Sequence, residues 1–180
     1  SPETAEAGDR DQLFASPLSD QGLFRFDAAV ASVFPDMINR SVPGYATVVG
    51  MTGTLAAQHA RPDSQVYDLG CSWGASLLSV AREPACDRCA LIGIDNSVAM
   101  VEQAATYLAA FPEAARIELR HADVLNTPLE NASVVIMNYT LQFISIQERE
   151  ALLRRIRDAM MPGDVFILSE KLTLPDQRLN

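Results

Sequence analysis

The stretch Val66-Tyr67-Asp68-Leu69-Gly70-Cys71-Ser72-Trp73-Gly74 decides the fold. Val66 to Leu69 is a short, mostly apolar run that meets a glycine turn, which reads as a strand leaving the core. Ala75 to Arg82 then reads as a helix. Strand, small-residue loop and helix together open a βαβ unit. Downstream the rhythm repeats. Ala90-Leu91-Ile92-Gly93-Ile94-Asp95 predicts a second strand with an acidic end, and Ser97 caps a helix that turns Met100, Val101 and Ala104 inward. Ile117 and Leu119 alternate with polar residues in a third strand that reaches Asp123. Val134-Val135-Ile136-Met137 is a buried fourth strand ending at Asn138. Gln147 to Met161 predicts a helix with Leu152, Leu153, Ile156 and Met160 on one face and Glu148, Arg149, Arg155 and Asp158 on the other. Pro162-Gly163 stops it, and Val165 to Leu168 is a fifth strand. The alternation predicts an α/β fold, a doubly wound, mostly parallel sheet with right-handed crossovers, the fourth strand lying beside the first.

Upstream, residues 1–10 are small, polar and acidic and read as a disordered arm. Residues 11–62 read as an N-terminal helical lid. Asp27 caps a short helix carrying Val30, Val33 and Phe34, interrupted at Pro35; Ser41-Val42-Pro43-Gly44 then turns into a helix reaching about His59, with Val48, Val49, Met51 and Leu55 as its apolar positions. Residues 63–180 form the α/β domain.

The whole chain of 180 residues suits one domain, with 48% hydrophobic and 21% charged residues. No apolar run approaches the ~20 residues that span a bilayer, and no basic start with an apolar run after it reads as a signal peptide. The net charge of −9 argues against nucleic acid or an anionic membrane as a partner of the whole surface. Cys71, Cys86 and Cys89 are too few for a disulfide scaffold. Cys86 and Cys89 form a CxxC, but no further Cys or His stands at ligand spacing, so the expectation is reduced thiols in a cytoplasmic protein and no metal.

In an open α/β sheet, ligands sit beyond the carboxyl ends of the strands. The candidates are therefore Gly70-Cys71-Ser72-Trp73-Gly74 after the first strand, Asp95 and Asn96 after the second, Asp123 and Val124 after the third, and Asn138 and Tyr139 after the fourth. The G-x-S-x-G loop is neither the G-x-G-x-x-G of dinucleotide enzymes nor a P-loop. Backbone N–H groups at the helix start can donate to a ligand there, and a plain tight turn accounts for the same loop. Asp95 lies about 25 residues beyond Gly70, near the ~20-residue offset of a ribose-binding acid; Asp95, Asn96 and Ser97 are also good helix caps. Asp123 can accept from an adenine amino group or close an Asx turn. This acidic ring tolerates a cationic nucleoside and repels a pyrophosphate, which points to S-adenosylmethionine (SAM) rather than NAD.

Asp68 to Gly74, with Asp95, Asp123 and Asn138, resembles the Rossmann-like class I SAM-dependent methyltransferase fold. Val33 to Ile38, Arg40 to Tyr45, Val66 to Ser72, Ile94 to Ser97, Glu130 to Ser133, Thr140 to Phe143 and Leu168 to Lys171 are similar to the carboxy-S-adenosyl-L-methionine synthases, over roughly residues 11–175. The resemblance implies a homodimer that converts SAM and prephenate to carboxy-SAM and phenylpyruvate. The product serves a second enzyme in tRNA wobble-uridine modification. It places SAM contacts at Tyr45, Gly70, Cys71, Ser72, Asp95, Asn96, Asp123, Val124 and Asn138. The family's chain continues past this one and there supplies further strands and a carboxylate-binding arginine, so the domain is expected to be truncated. Arg40 is the candidate for contacting the anionic second substrate, and a solvated surface arginine accounts for it equally. An ordinary SAM methyltransferase and a SAM-binding module without activity stay open beside the leading reading. No direct tRNA binding is expected, since no Lys/Arg stripe accompanies the acidic charge.

Overall fold

Five parallel strands in the order β3-β2-β1-β4-β5 form the centre of the protein. They are β1 (Gln65–Leu69), β2 (Ala90–Asp95), β3 (Ile117–His121), β4 (Ala132–Asn138) and β5 (Met160–Ser169). The helices with both ends described are α1 (Tyr45–His59), α2 (Ala75–Ala81), α3 (Val98–Leu108) and α4 (Ile146–Asp158), and residues 37–41 ahead of them are helical too. This computed structural model describes Ala28 and residues 37–172. The arm at 1–10 and the helix expected after Asp27, with Val30, Val33, Phe34 and Pro35, lie outside the described residues.

β1 and β4 are buried almost throughout because both faces are covered. Side chains alternate between the faces. Val66, Leu91, Val134 and Ile136 pack with Leu77, Val80 and Ala56 under α1 and α2. Leu78 and Leu108 join α2 to α3 on that same side. Tyr67, Leu69, Ile92, Ile94, Val135 and Met137 pack on the other side with Leu152 and Ile156 of α4. Helices thus cover both faces, and the strand order reverses between β1 and β4, the switch point where a doubly wound sheet opens a crevice.

Several expectations shift. α1 buries Thr52, Gly53 and Ala56, while Met51 is 58% exposed. Gly53 explains the face: a Cβ there would collide with Ser79 Oγ, so small residues let α1 close onto α2. α4 ends at Asp158 and is not stopped by Pro162-Gly163, which instead lie within the long edge strand β5. An edge strand tolerates proline, and the register against β4 is irregular there. Leu153 is partly exposed, and Met160 belongs to β5. β3 ends at His121, two residues short of Asp123.

Candidate functional site

The register places the acidic residues. Asp68 pairs with Gly93 on β2 and with Ile136 on β4. Two residues further along each strand, Asp95 and Asn138 flank Gly70, on the same face of the sheet as Asp68. A cavity of about 880 Å3 opens there, at the carboxyl ends of the strands. Its lining includes Tyr45, Gly70, Cys71, Ser72, Asp95, Asn96, Asp123, Val124 and Asn138, so the nine positions that the resemblance implies meet at one place; of the other strand-end candidates, Tyr139 joins them and Trp73 and Gly74 do not. Arg40 does not line it and is exposed.

The loop after β1 is held by its own backbone. Gly70 has φ +82°, and a Cβ there would run into Thr140, so the loop crosses under the segment after β4 only with glycine. The N–H groups of Gly70 and Cys71 donate to Ile94 O at 2.8 and 3.0 Å, that of Gly74 to Cys71 O at 2.7 Å, and that of Ser72 to Asp95 Oδ2 at 3.0 Å. These four donors are spent within the fold, so the expected row of N–H groups facing a ligand is not offered by them.

Asp95 is a cap and a cavity wall at once. Its Oδ1 accepts from Ser97 N at 2.9 Å and its Oδ2 from Ser72 N. Burial raises its pKa, opposed by these two hydrogen bonds. One lone pair on each oxygen is left for a ligand. Ser97 Oγ accepts from Met100 N at 3.2 Å, as its capping role requires. Asp123 closes an Asx turn: Oδ1 accepts from Leu125 N at 2.8 Å and Oδ2 from Asn126 Nδ2 at 3.3 Å. Arg155, expected on the outer face of α4, reaches under this loop and donates to Val124 O at 3.3 Å and to Leu125 O and Thr127 O.

Asp68 was absent from the sequence candidates. Its side chain is 2% exposed, lines the cavity and takes no hydrogen bond from any described residue. Burial, and then the neighbouring Asp95, push its pKa up to about 7. Tyr45, the first residue of α1, stands beside it. Burial and the Asp68 charge raise its phenol well above the ordinary value, so it remains a donor at neutral pH. Its ring lies 6.2 Å from that of Tyr139, whose φ of +60° stores strain directly after β4. Cys71 is buried on the same wall, and desolvation raises its thiol well above the ordinary value, so no thiolate competes as a nucleophile. Among the described lining residues Lys171 carries the one positive charge; its Nζ donates to Ser41 O at 3.3 Å. Its position after β5 was legible in the sequence, but nothing there linked it to the cavity.

Cys86 and Cys89 are buried free thiols away from the cavity. Arg116 holds their loop through Cys86 O at 2.8 Å, Cys89 O at 3.3 Å and Ala81 O at 3.2 Å, and burial pushes the Cys86 thiol up to about 11. Among the described residues no cluster of three His, Cys, Asp or Glu side chains is placed to share a metal ion, and no helix is long and apolar enough to cross a membrane.

Comparison with known proteins agrees with this geometry. A family described as a methyltransferase domain matches residues 66–163. Among solved structures, a putative SAM-dependent methyltransferase from Methanococcus maripaludis superposes with a TM-score of 0.59 at 20% identity, over 77% of this chain and 62% of that one. The CcbJ methyltransferase from Streptomyces caelestis gives 0.61 at 21% identity, over 76% and 53%. These two likenesses establish the fold. Two relatives named carboxy-S-adenosyl-L-methionine synthase are closer in sequence. The protein from Photorhabdus laumondii is 48% identical over 170 residues, covering 94% of this chain and 68% of its own. That from Yersinia pestis is 45% identical over 179 residues, covering 99% and 67%. On a methyltransferase-type α/β domain, and at this identity across nearly its whole length, the chain belongs to the carboxy-S-adenosyl-L-methionine synthase family.

Proposed function

We propose that the cavity binds SAM and that the protein converts SAM and prephenate to carboxy-SAM and phenylpyruvate, a step that feeds tRNA wobble-uridine modification. The observation that carries this reading is the convergence of Asp68, Asp95, Asp123 and Asn138, from four strand ends, on one cavity of about 880 Å3. Sites for one small molecule span roughly 300–1,000 Å3, and this cavity lies toward the upper end of that range. Asp123 and Val124 would meet the adenine, Asp95 and Asn96 the ribose. The amino-acid end would lie over Gly70, Cys71 and Ser72 with its ammonium group toward Asp68 and Asn138. A buried carboxylate without a partner is costly, and a ligand cation is the group that relieves it.

The second substrate is an anion, and Lys171 is the lining cation that would receive it in place of Arg40. In balance, prephenate gives up CO2 and its ring hydroxyl as it aromatises. The SAM methyl carbon loses a proton and gains the CO2, and proton and hydroxyl leave as water. A carbanion-like carbon beside a sulfonium needs a site without competing nucleophiles or strong acids; the raised Cys71 thiol and Tyr45 phenol leave no thiolate or phenolate there and are weaker proton donors than usual. The same reading puts a homodimer in the cytoplasm with no direct hold on tRNA; the net charge of −9 supports the last point.

Mass spectrometry after incubating the protein with SAM and carboxyl-labelled prephenate tests the assignment. The expected product is SAM heavier by one labelled CO2, with phenylpyruvate formed in equal amount. SAM returned unchanged indicates a binding module, and S-adenosylhomocysteine appearing with an added acceptor indicates a methyltransferase.

A further inference from the structure

We propose that Thr52 and Ser76 are positioning residues: they hold the Asn138 amide in one orientation so that its oxygen is reserved for the ammonium group of the ligand. This rests on the SAM reading of the cavity and specifies how its amino-acid end is recognised.

The orientation follows from counting hydrogens. Thr52 Oγ1 donates its single hydrogen to Val48 O one turn back in α1, at 2.9 Å. Only lone pairs remain on that oxygen, so the Asn138 atom 3.2 Å away must be the donor, Nδ2. Ser76 Oγ, on α2, accepts the second amide hydrogen at 3.0 Å. Both donors of Asn138 are then spent, and its Oδ1 is buried with no hydrogen-bond partner among the described residues. The flipped amide would set oxygen against the lone pairs of Thr52 and forfeit that bond. A buried acceptor in this state is an exception that calls for a donor from outside the fold. Asp68, on the same face and equally without a donor, lines the same cavity. Two acceptors and no protein donor specify a multiply donating cation, and an α-ammonium group carries three hydrogens.

Thr52 itself is 1% exposed and outside the cavity lining, so it acts through Asn138 and does not touch ligand. Its reach depends on the close approach of α1 to α2 that Gly53 allows against Ser79. Three elements therefore converge on one amide: α1 through Thr52, α2 through Ser76, and β4 through Asn138 itself.

Titration of SAM and of 5′-methylthioadenosine, which keeps the nucleoside but lacks the amino-acid end, into the purified protein and its variants tests the proposal. Thr52→Val keeps the shape and removes the acceptor. It is expected to raise the Kd for SAM by about 5- to 20-fold while the Kd for 5′-methylthioadenosine stays within about twofold. Thr52→Ser restores SAM binding to near the parent value, and Ser76→Ala moves the ratio of the two affinities in the same direction as Thr52→Val. Unchanged SAM affinity in Thr52→Val, or an equal loss for both ligands, overturns the positioning role while leaving SAM binding intact. A parent protein that binds 5′-methylthioadenosine as tightly as SAM overturns the ammonium contact itself.

Discussion

Asp95 and Asp123, at the end of the cavity we assign to the nucleoside, differ from Asp68 and Asn138, at the end we assign to the amino acid, in what already satisfies them. Asp95 takes the N–H groups of Ser72 and Ser97, and Asp123 takes Leu125 N and Asn126 Nδ2. Their loops aim them before any ligand arrives. Asp68 and the oxygen of Asn138 have no donor from the described residues and are buried. The first pair is preorganised and adds ligand bonds to existing ones. The second pair holds an unmet demand for a cation, so a ligand that brings an ammonium group gains there and a neutral or anionic one does not. Affinity is expected to come mainly from the nucleoside end, and discrimination from the amino-acid end.

The largest effect should follow loss of the most committed acceptor. Asp95→Ala lets go of Ser72 and Ser97 and would remove the two charge-assisted bonds proposed to ribose, for an expected loss of about 2–4 kcal/mol, or on the order of 30- to 1,000-fold in Kd for SAM. Asp123→Ala should cost less, because it gives up one contact at the adenine edge. Calorimetric titration ranks the two, and an Asp95→Ala variant within threefold of the parent would refute the ribose contact.

Asp68→Asn should separate the two ends. SAM binding is expected to weaken about 10- to 50-fold at pH 8, with 5′-methylthioadenosine little affected. The ligand-free protein should become more stable at the same pH. The sign follows from linkage: the folded carboxyl titrates at about 7, above its unfolded value, so the folded state holds the proton more tightly. Stability is then lost as pH rises from about 4 through about 7, and asparagine escapes that loss. A rise of about 2–6 °C in Tm at pH 8, shrinking toward pH 5, is expected. A variant that loses both SAM affinity and Tm at pH 8 would show that Asp68 serves packing instead.

Arg155→Met tests whether the nucleoside end is as preset as its hydrogen bonds imply. The guanidinium holds three carbonyls of the loop carrying Asp123 and Val124. Its loss should weaken SAM by about 3- to 10-fold and raise hydrogen exchange at residues 123–127; unchanged exchange would contradict the anchoring role. The smallest effect concerns the wall formed ahead of α1. Met37, Ile38, Ser41 and Val42 line the cavity ahead of α1. If this segment acts as the lid proposed for residues 11–62, SAM should slow its proteolysis, and equal cleavage with and without SAM would count against a lid.

The strand ends, Gly70 and Asn138 among them, were more legible in the sequence than the groups that surround them. Glycine turns and strand-end acids are local patterns, and the rule for open α/β sheets converts their order along the chain into one location. The amino-acid end depends on which helix face meets which strand. Hydrophobic spacing passes over Thr52 and assigns the inner face of its helix to Val48, Val49, Met51 and Leu55, because spacing registers large apolar residues and not the small ones that let two helices touch. Arg155 reads as a solvated residue of an amphipathic helix until the loop after β3 folds over its guanidinium. Asp68 reads as one polar residue in a strand; only the parallel register with Gly93 and Ile136 puts it on the cavity side.

Proton release on binding tests the central contrast most directly. At pH 6 the amino group of SAM is already charged, whereas free Asp68, with a pKa of about 7, is mostly protonated. Titrating SAM into the parent and into Asp68→Asn at pH 6, in two buffers of different ionisation enthalpy, counts the protons expelled. The account predicts a release approaching one proton per SAM in the parent, most of it absent from Asp68→Asn. Equal release from both proteins, or none from the parent, would contradict an ionised Asp68 as the partner of the bound ammonium group.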